Sequence, residues 1–202
     1  MSNNVMNLIC DECVIPATRT IADYKYALAN TTTPGISMLF GDIITLPELL
    51  SQANEYKKRL LLHVDLLDGV GKDKVGIKYL ARLGVQAIIT TKPQLGKVAR
   101  EEGMIVIQRL FLMDSDSVKT GINLLRNFKP DALEVLPVFV PAAVVKELFE
   151  ATGLPILAGG LARSKEDVIN AIRNGISAVS TSKRELWNMT FKQTGCCRGS
   201  LE

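Results

Sequence analysis

The sequence predicts a single compact α/β domain, a (β/α)8 barrel of the TIM type. Short apolar, β-branched segments alternate with amphipathic helical segments along the chain. Such alternation indicates parallel strands that are joined by helical crossovers. Eight strand–helix units follow one another without interruption, which favours closure into a barrel. The main alternative is a doubly wound open sheet, which would leave two edge strands and usually has fewer units.

The predicted strands are short and apolar, and the third is the most apolar of them. They cover residues 13–18, 35–40, 60–66, 87–91, 105–112, 132–136, 154–158 and 178–182. Helices are predicted over residues 20–30, 73–83, 93–102, 115–128, 141–151 and 164–174, with a second helix opening at residue 45 and a last one running from residue 183 past residue 187. Capping-box spacings are present at Thr45, Ser164 and Ser182. Gly175 is expected to end the seventh helix in the left-handed conformation.

Length, composition and charge are typical of one soluble domain. The chain has 202 residues, and we predict a single domain over residues 8–190 with loosely ordered tails at 1–7 and 191–202. No apolar run approaches membrane-spanning length, and the N-terminus lacks a signal-peptide pattern, so a cytoplasmic protein is expected. The net charge of +3 neither requires nor excludes nucleic acid.

The four cysteines lie near the two ends of the chain. Cys10 and Cys13 form a C-x-x-C pair, whereas Cys196 and Cys197 are adjacent. A zinc site built from all four would need the termini to meet, and adjacent cysteines are an unusual ligand pair. We therefore expect reduced, structurally incidental thiols and no bound metal.

The segments after the seventh and eighth strands have the composition of a phosphate site. Gly159 and Gly160 follow one strand, Thr181 and Ser182 end the next, and a helix start is predicted beside each. Glycine lets a ligand approach the backbone, and helix N-termini offer unpaired N–H groups and a positive dipole end. Barrels of this type hold phosphate at these two loops. Ordinary βα turns also contain glycine and serine, so the pattern alone leaves both interpretations open.

Charged and polar residues also mark the ends of other strands, where the site of such a barrel lies. They include Arg19, His63, Asp65, Arg109, Glu134 and Arg184. His63 and Asp65 are two residues apart and are predicted to share one face of their strand. Because a charge in an apolar strand needs a partner, Arg19 and Arg109 are the candidate counter-charges for Asp65 and Glu134.

Several of these residues have a structural explanation that competes with the functional one. A lone histidine such as His63 is as often a hydrogen-bonded packing element as a ligand residue. Lys92 could form a Schiff base, but no apolar segment surrounds it in the sequence, so a solvated lysine is favoured. Asp65 with Asp68 could hold a divalent cation, although a full set of oxygen ligands is not evident.

Six pieces of the sequence, taken together and in order, resemble one protein family. They are IPATR at 15–19, HVDLLDG at 63–69, IQRLFLMD at 107–114, EVLP at 134–137, AGGL at 158–161 and TSKRELW at 181–187. The family is that of the glycerol-3-phosphate-responsive antiterminators of the bacterial glycerol uptake operon, and the resemblance extends from about residue 9 to residue 187. The Gly-Gly piece is common to many phosphate-binding barrels, whereas the HVDL, QRLF and EVLP pieces are much more specific.

The resemblance implies a regulator and not an enzyme. Such a protein would bind glycerol 3-phosphate as its effector, without a further cofactor, and act on a leader mRNA so that transcription passes a terminator. With the strand-end residues above, it implies a ligand site formed by Arg19, His63, Asp65, Arg109, Glu134, Gly159, Gly160, Thr181, Ser182 and Arg184. The phosphate would lie between the two loops, with Arg184 or Lys183 adding charge, and the glycerol hydroxyls would contact Asp65 and Glu134.

The sequence gives little information about which surface would bind RNA, because no RNA-recognition, KH or zinc-knuckle signature is visible. Candidate phosphate contacts are Lys57, Lys58 and Arg59, or Lys72, Lys74, Lys78 and Arg82. Exposed charge runs of this kind are more often solvated helix faces.

Two other functions compete with the antiterminator. A phosphosugar isomerase, aldolase or epimerase would use Asp65 or Glu134 as general base and the same phosphate loops. A metabolite sensor that acts through a protein partner is the third alternative. The sequence leaves the oligomeric state open, homo-oligomers included.

Overall fold

The computed structural model describes residues 5, 13–126 and 128–189. Within these residues, eight parallel strands form a closed barrel in chain order, and the last strand pairs with the first. The strands are β1 (Val14–Thr18), β2 (Gly35–Met38), β3 (Arg59–His63), β4 (Ala87–Thr90), β5 (Ile105–Phe111), β6 (Ala132–Leu136), β7 (Ile156–Gly159) and β8 (Ala178–Thr181). The helices are α1 (Ile21–Asn30), α2 (Leu46–Glu55), α3 (Lys74–Arg82), α4 (Pro93–Glu101), α5 (Ser115–Leu125), α6 (Ala142–Thr152) and α7 (Lys165–Arg173).

The predicted (β/α)8 barrel is confirmed, and the open sheet is excluded by the pairing of β1 with β8. The third strand is shorter than predicted. It ends at His63, and Val64–Leu66 form a short 3₁₀ helix in place of the last strand residues. Asp65 therefore lies in this turn, and the prediction that it shares a strand face with His63 is wrong.

Alternating side chains divide the core into two parts, as the two-residue period of a strand requires. Ile15, Leu61, Ile107 and Leu157 belong to a cluster that fills the lumen of the barrel. Their sequence neighbours, for example Leu60, belong to a larger cluster that packs between the strands and the surrounding helices. The lower lumen is thus a packed apolar core that supports the polar groups above it.

Some of the predicted helix caps are formed and others are not. The capping box of Ser164 with Asp167 is formed, and Gly175 has a φ of +96°, as predicted. Thr45 makes no side-chain cap: its backbone already has helical angles (φ −81°, ψ −24°), and its hydroxyl is bonded to the backbone N–H and carbonyl oxygen of Asp42 instead. A capping box that was not predicted is present at Asp114, the N-cap of α5.

The predicted capping box at Ser182 and the helix after β8 are wrong for the described residues. Arg184–Leu186 form a single 3₁₀ turn, and no side chain caps it. The buried Trp187 follows, and its indole Nε1–H donates to the Thr181 carbonyl oxygen at 2.7 Å. This bond fixes the end of β8 against the turn.

Several predictions concern residues outside the described part of the chain. Cys10, Cys196, Cys197, the domain limits and both tails except Val5 lie there, and Val5 is buried. Cys13 is buried, and its thiol donates to the Met189 carbonyl oxygen at 3.4 Å. Among the described residues, none of the helices is both long and apolar enough to span a membrane. The same residues contain no cluster of three or more His, Cys, Asp or Glu side chains suited to a metal ion.

Candidate ligand-binding site

A polar ring lies in the lumen at the C-terminal ends of the strands. Ser37, His63, Arg109, Glu134 and Ser180 occupy it. The last four each lie two residues beyond a lumen position nearer the strand start, so their side chains point towards the barrel axis. Ser37 lies beside Ala17 of β1 in the sheet register and is likewise buried. This is the end at which barrels of this type carry their sites.

A buried ion pair organises one side of this polar ring. Glu134 Oε2 accepts a hydrogen bond from Arg109 Nε at 2.7 Å and forms an ion pair with Arg109 Nη2 at the same distance. Ser180 Oγ donates to Glu134 Oε1 at 2.6 Å. Arg109 is 9% exposed and Glu134 only 1%. Gly159 makes the arrangement feasible, because a Cβ at this position would lie 2.4 Å from Ser180 Oγ. The predicted pairing of Arg109 with Glu134 is therefore present, and Gly159 serves their packing.

A cavity of about 110 Å³ opens beside the ion pair, between the ends of β1, β7 and β8. Five of the predicted ligand residues line it: Arg19, Arg109, Gly160, Thr181 and Ser182. Ser180, Leu136 and Leu161 are among the residues that complete the wall. The cavity thus lies at the two loops where the sequence predicted a phosphate, and its volume restricts the occupant to a small molecule.

The loop after β7 has an unusual backbone. Gly160 and Leu161 both have positive φ, +73° and +66°. For a leucine this left-handed conformation is uncommon and costs about 1 kcal/mol or more, which the surrounding contacts must offset. Thr181 Oγ1 donates to the Ala162 carbonyl oxygen at 3.4 Å, and Val138 N–H donates to the Gly160 carbonyl oxygen at 3.1 Å. The loop is therefore tied to both neighbouring loops.

Helix dipoles contribute less to this cavity than the sequence suggested. The Asp167 carboxylate accepts from the N–H groups of Arg163 and Ser164, so a negative charge already occupies the start of α7. No α-helix begins after β8 within the described residues. An anion in the cavity would thus depend on arginine and hydroxyl side chains more than on helix ends.

Asp65 does not line the cavity. Its carboxylate accepts hydrogen bonds from the Thr90 hydroxyl and from the N–H and hydroxyl of Thr91, at 2.7–2.9 Å. Burial opposes ionisation, but these bonds outweigh it and hold the pKa of Asp65 below its ordinary value. The predicted arginine partner is wrong for Asp65, because three hydrogen bonds from the end of β4 stabilise its charge.

Arg184 also lies away from the cavity lining. Its guanidinium pairs with Asp23 Oδ1 at 2.7 Å and stacks over the Tyr26 ring, 4.9 Å from its centre. The structure therefore does not bring Arg184 to the cavity, where it was predicted to add charge beside a phosphate. Arg184 instead joins the turn after β8 to α1.

His63 is buried in the polar ring, and its Nδ1 has no hydrogen-bond partner among the described residues. Burial and then the nearby positive charge of Arg109 lower the pKa of His63 to about 4. The imidazole is consequently neutral near pH 7. Ser37 Oγ in the same ring likewise has no partner within the described chain.

The low pKa of His63 predicts a specific loss of stability in mild acid. The unfolded chain binds a proton near pH 6.5, whereas the folded chain does so only near pH 4. The contribution of neutral His63 to the free energy of unfolding is complete above pH 6.5, and it is lost as the pH falls towards 4. We expect the free energy of unfolding to fall by about 2 kcal/mol between pH 7 and pH 5.

Urea titrations at several pH values would measure this loss. His63 is the single histidine of the chain, so a His63→Gln variant is expected to show a flatter profile over the same range. Parallel profiles for the two proteins would show that His63 is not the titrating group.

Two members of the polar ring, Ser37 and Ser180, were not predicted as site residues. Both alternate with core residues in strands that were predicted correctly, so their direction could have been inferred from the two-residue period. Serine is common in strands, so residue type alone does not mark Ser37 and Ser180 as site residues.

The sequence of this chain matches that of a known family over almost all of the described barrel. A sequence model of the family "Glycerol-3-phosphate responsive antiterminator" matches residues 14–187. The chain belongs to this family. The uncharacterized protein YgcP of Escherichia coli (strain K12) is 34% identical over 190 residues, 93% of this chain and 98% of YgcP.

Solved antiterminator structures share the fold. The glycerol uptake operon antiterminator regulatory protein of Listeria monocytogenes str. 4b F2365 superposes with a TM-score of 0.81 at 32% identity, covering 86% of this chain and 94% of that one. A glycerol uptake operon antiterminator-related protein of Thermotoga maritima MSB8 gives a TM-score of 0.78 at 28% identity, covering 87% and 98%. The resemblance found in the sequence is thereby confirmed.

In this antiterminator-family barrel, the six sequence pieces lie near one end. Each contains or directly follows the C-terminal part of a strand, from β1 to β8. The QRLF and EVLP pieces pair directly, with Arg109 opposite Glu134 and Phe111 opposite Leu136. The pieces that identify the family therefore supply three of the five polar-ring residues and eight of the eleven residues that line the cavity.

Proposed function

We propose that this protein senses glycerol 3-phosphate and regulates a glycerol uptake operon by antitermination on its leader mRNA. One observation carries the proposal: a chain of the antiterminator family has a small cavity at its phosphate-type loops, lined by Arg19 and Arg109. Two arginines beside hydroxyl groups suit a phosphorylated polyol, because guanidinium groups bind phosphate oxygens with directed hydrogen bonds.

The contacts suggest how the ligand is oriented. The phosphate is assigned to the outer part of the cavity, beside Arg19, Gly160 and Ser182, since Arg19 is exposed and has room to close on an anion. The glycerol hydroxyls are assigned to the inner part, beside Arg109 and Ser180. Ser180 Oγ donates its proton to Glu134 and retains lone pairs that a ligand hydroxyl can donate to.

The carboxylates that an enzyme would use as general base are engaged elsewhere. Both oxygens of Glu134 accept hydrogen bonds from Arg109 and Ser180, and Asp65 is held by the two threonines at the end of β4. Neither carboxylate is part of the cavity lining. This arrangement favours a binding protein over a phosphosugar enzyme, because a general base must reach the proton that it abstracts.

Two of the basic residues that the sequence suggested for RNA contact are hydrogen-bonded within the protein. Lys58 is buried, and its ammonium donates to the carbonyl oxygens of Thr31 and Thr33 at 2.5 and 2.6 Å. The Lys72 ammonium donates to the carbonyl oxygens of residues 64 and 67. Both lysines therefore stabilise the fold. The residues that we propose as contacts to RNA phosphates are the remaining ones of the two groups: Lys57, Arg59, Lys74, Lys78 and Arg82. Glycerol 3-phosphate would favour the RNA-binding state through its higher affinity for that state.

A pair of measurements tests the proposal. Calorimetry is expected to show glycerol 3-phosphate binding, whereas glycerol should bind at least about 100-fold more weakly because it lacks the charge held by arginine. A gel shift with the leader RNA of a glycerol operon should strengthen on adding the ligand and weaken with salt. Binding of neither molecule, or turnover of triose or pentose phosphates, would contradict the sensor.

A further inference from the structure

Four large apolar side chains are exposed on three consecutive loops at the ligand end of the barrel. Phe111 is the last residue of β5 and Met113 follows it, Phe139 follows β6, and Leu161 follows β7. Phe111, Met113, Phe139 and Leu161 are 56%, 88%, 58% and 59% exposed, respectively. We call these four residues the apolar rim. They are brought together because β5, β6 and β7 are neighbours, with Phe111 paired to Leu136 and Val138 bonded to the Gly160 carbonyl.

A groove of about 400 Å³ continues the apolar rim outward, between the starts of α5 and α6. Met113 and Phe139 line it, together with Val118, Pro137 and Val144. This groove is separate from the ligand cavity and shares none of its lining residues. The exposed surface is therefore concave as well as apolar, which distinguishes it from single exposed side chains on helices.

We infer that the apolar rim and this groove form the contact surface for a second copy of this chain. The four rim residues expose on the order of 500 Å² of surface, estimated from their exposed fractions. A stable homodimer buries about 800 Å² per copy, of which about 65%, or roughly 500 Å², is apolar. The exposed apolar area thus equals what a two-fold dimer requires.

The charges around the groove fit another copy better than RNA. Asp114, Lys119 and Glu147 line it, two acids and one base. A polyanion gains nothing from such a mixture. A two-fold axis, in contrast, brings the same patch against itself. The exposed Lys119, which pairs with Asp116 of its own helix at 3.2 Å, can then also face an acidic residue of the other molecule. Several lining residues are aliphatic or proline, which provide no face for base stacking.

Analytical ultracentrifugation of the full chain tests this inference. The wild-type protein is expected to be dimeric at about 10 μM, and a Met113→Glu/Phe139→Glu variant to dissociate at least about 100-fold more readily, since charged side chains would be desolvated at the contact. An Ile44→Glu/Phe149→Glu variant is the matched control, because both of its sites are exposed apolar residues outside the rim. The control is expected to remain dimeric.

Three results would overturn the inference. The first is a wild-type protein that stays monomeric at about 100 μM, where a stable dimer must form. The second is a rim variant that remains dimeric while its circular dichroism and thermal midpoint match the wild type. The third is a rim variant that keeps the wild-type oligomeric state but loses the leader-RNA gel shift, which would assign the surface to RNA.

Discussion

Arg109→Leu is expected to lower the free energy of unfolding by about 3–5 kcal/mol, because Glu134 would then be a buried charge without its partner. Among the described residues, Ser180 would then supply the remaining hydrogen bond to that carboxylate. Chemical denaturation followed by circular dichroism would measure the loss. For a chain of this size it corresponds to a fall of about 10 °C in Tm.

Two further variants separate the buried charge from the loss of arginine itself. Arg109→Leu/Glu134→Leu is expected to recover most of the stability, since no unpaired charge remains in the ring. Arg100→Leu removes an arginine from the half-exposed pair with Asp131 and should cost less than about 1 kcal/mol. If Arg100→Leu and Arg109→Leu lower the free energy of unfolding equally, burial of the ion pair does not increase the cost of removing its arginine.

Gly160→Asp is expected to weaken glycerol 3-phosphate binding by at least about 100-fold, because it places a carboxylate in the wall of the proposed phosphate site. The position is confined: a Cβ there would lie 3.3 Å from Leu136 Cδ2, and the backbone φ is +73°. Calorimetry on the folded variant gives the affinity directly.

The backbone strain of this substitution needs its own control. Gly153 has a similar φ of +65° at the end of α6, with no atom within 4 Å of the point where a Cβ would lie and no part in the cavity lining. Gly153→Asp should therefore lose a comparable amount of stability and bind the ligand normally. Gly160→Ala adds strain without charge and should retain most of the affinity. If Gly160→Asp binds like the wild type, the phosphate is not held at this loop.

The barrel could be predicted from the sequence because its signals are local. Apolar strands and amphipathic helices repeat with their own periods, and the Ser164 capping box depends on residues three apart. The Ser182 spacing looks the same but fails, since β8 is followed by a 3₁₀ turn that Trp187 holds against Thr181. A local pattern cannot show a contact of this kind with the end of a strand.

The site was less predictable because its contacts join distant parts of the chain. Opposite charges suggested that Asp65 would pair with an arginine, yet threonines 25 and 26 residues away stabilise it instead. Arg184 is adjacent in sequence to the cavity loop, but Asp23 and Tyr26 hold it at α1. Gly159 was expected to approach a ligand, whereas it gives room to Ser180. In each case the sequence pointed to the right residue. Its contact partner could not be predicted, because the two residues are far apart in sequence and meet only in the folded barrel.

Leu161 belongs both to the small cavity and to the apolar rim. It lines the small cavity, and 59% of its surface is exposed among the rim residues. If a bound metabolite shifts this leucine, the free energy of self-association changes with it. Thermodynamic reciprocity then requires self-association to change the metabolite's affinity by the same factor, so one side chain would suffice to make sensing depend on how much of the protein is present.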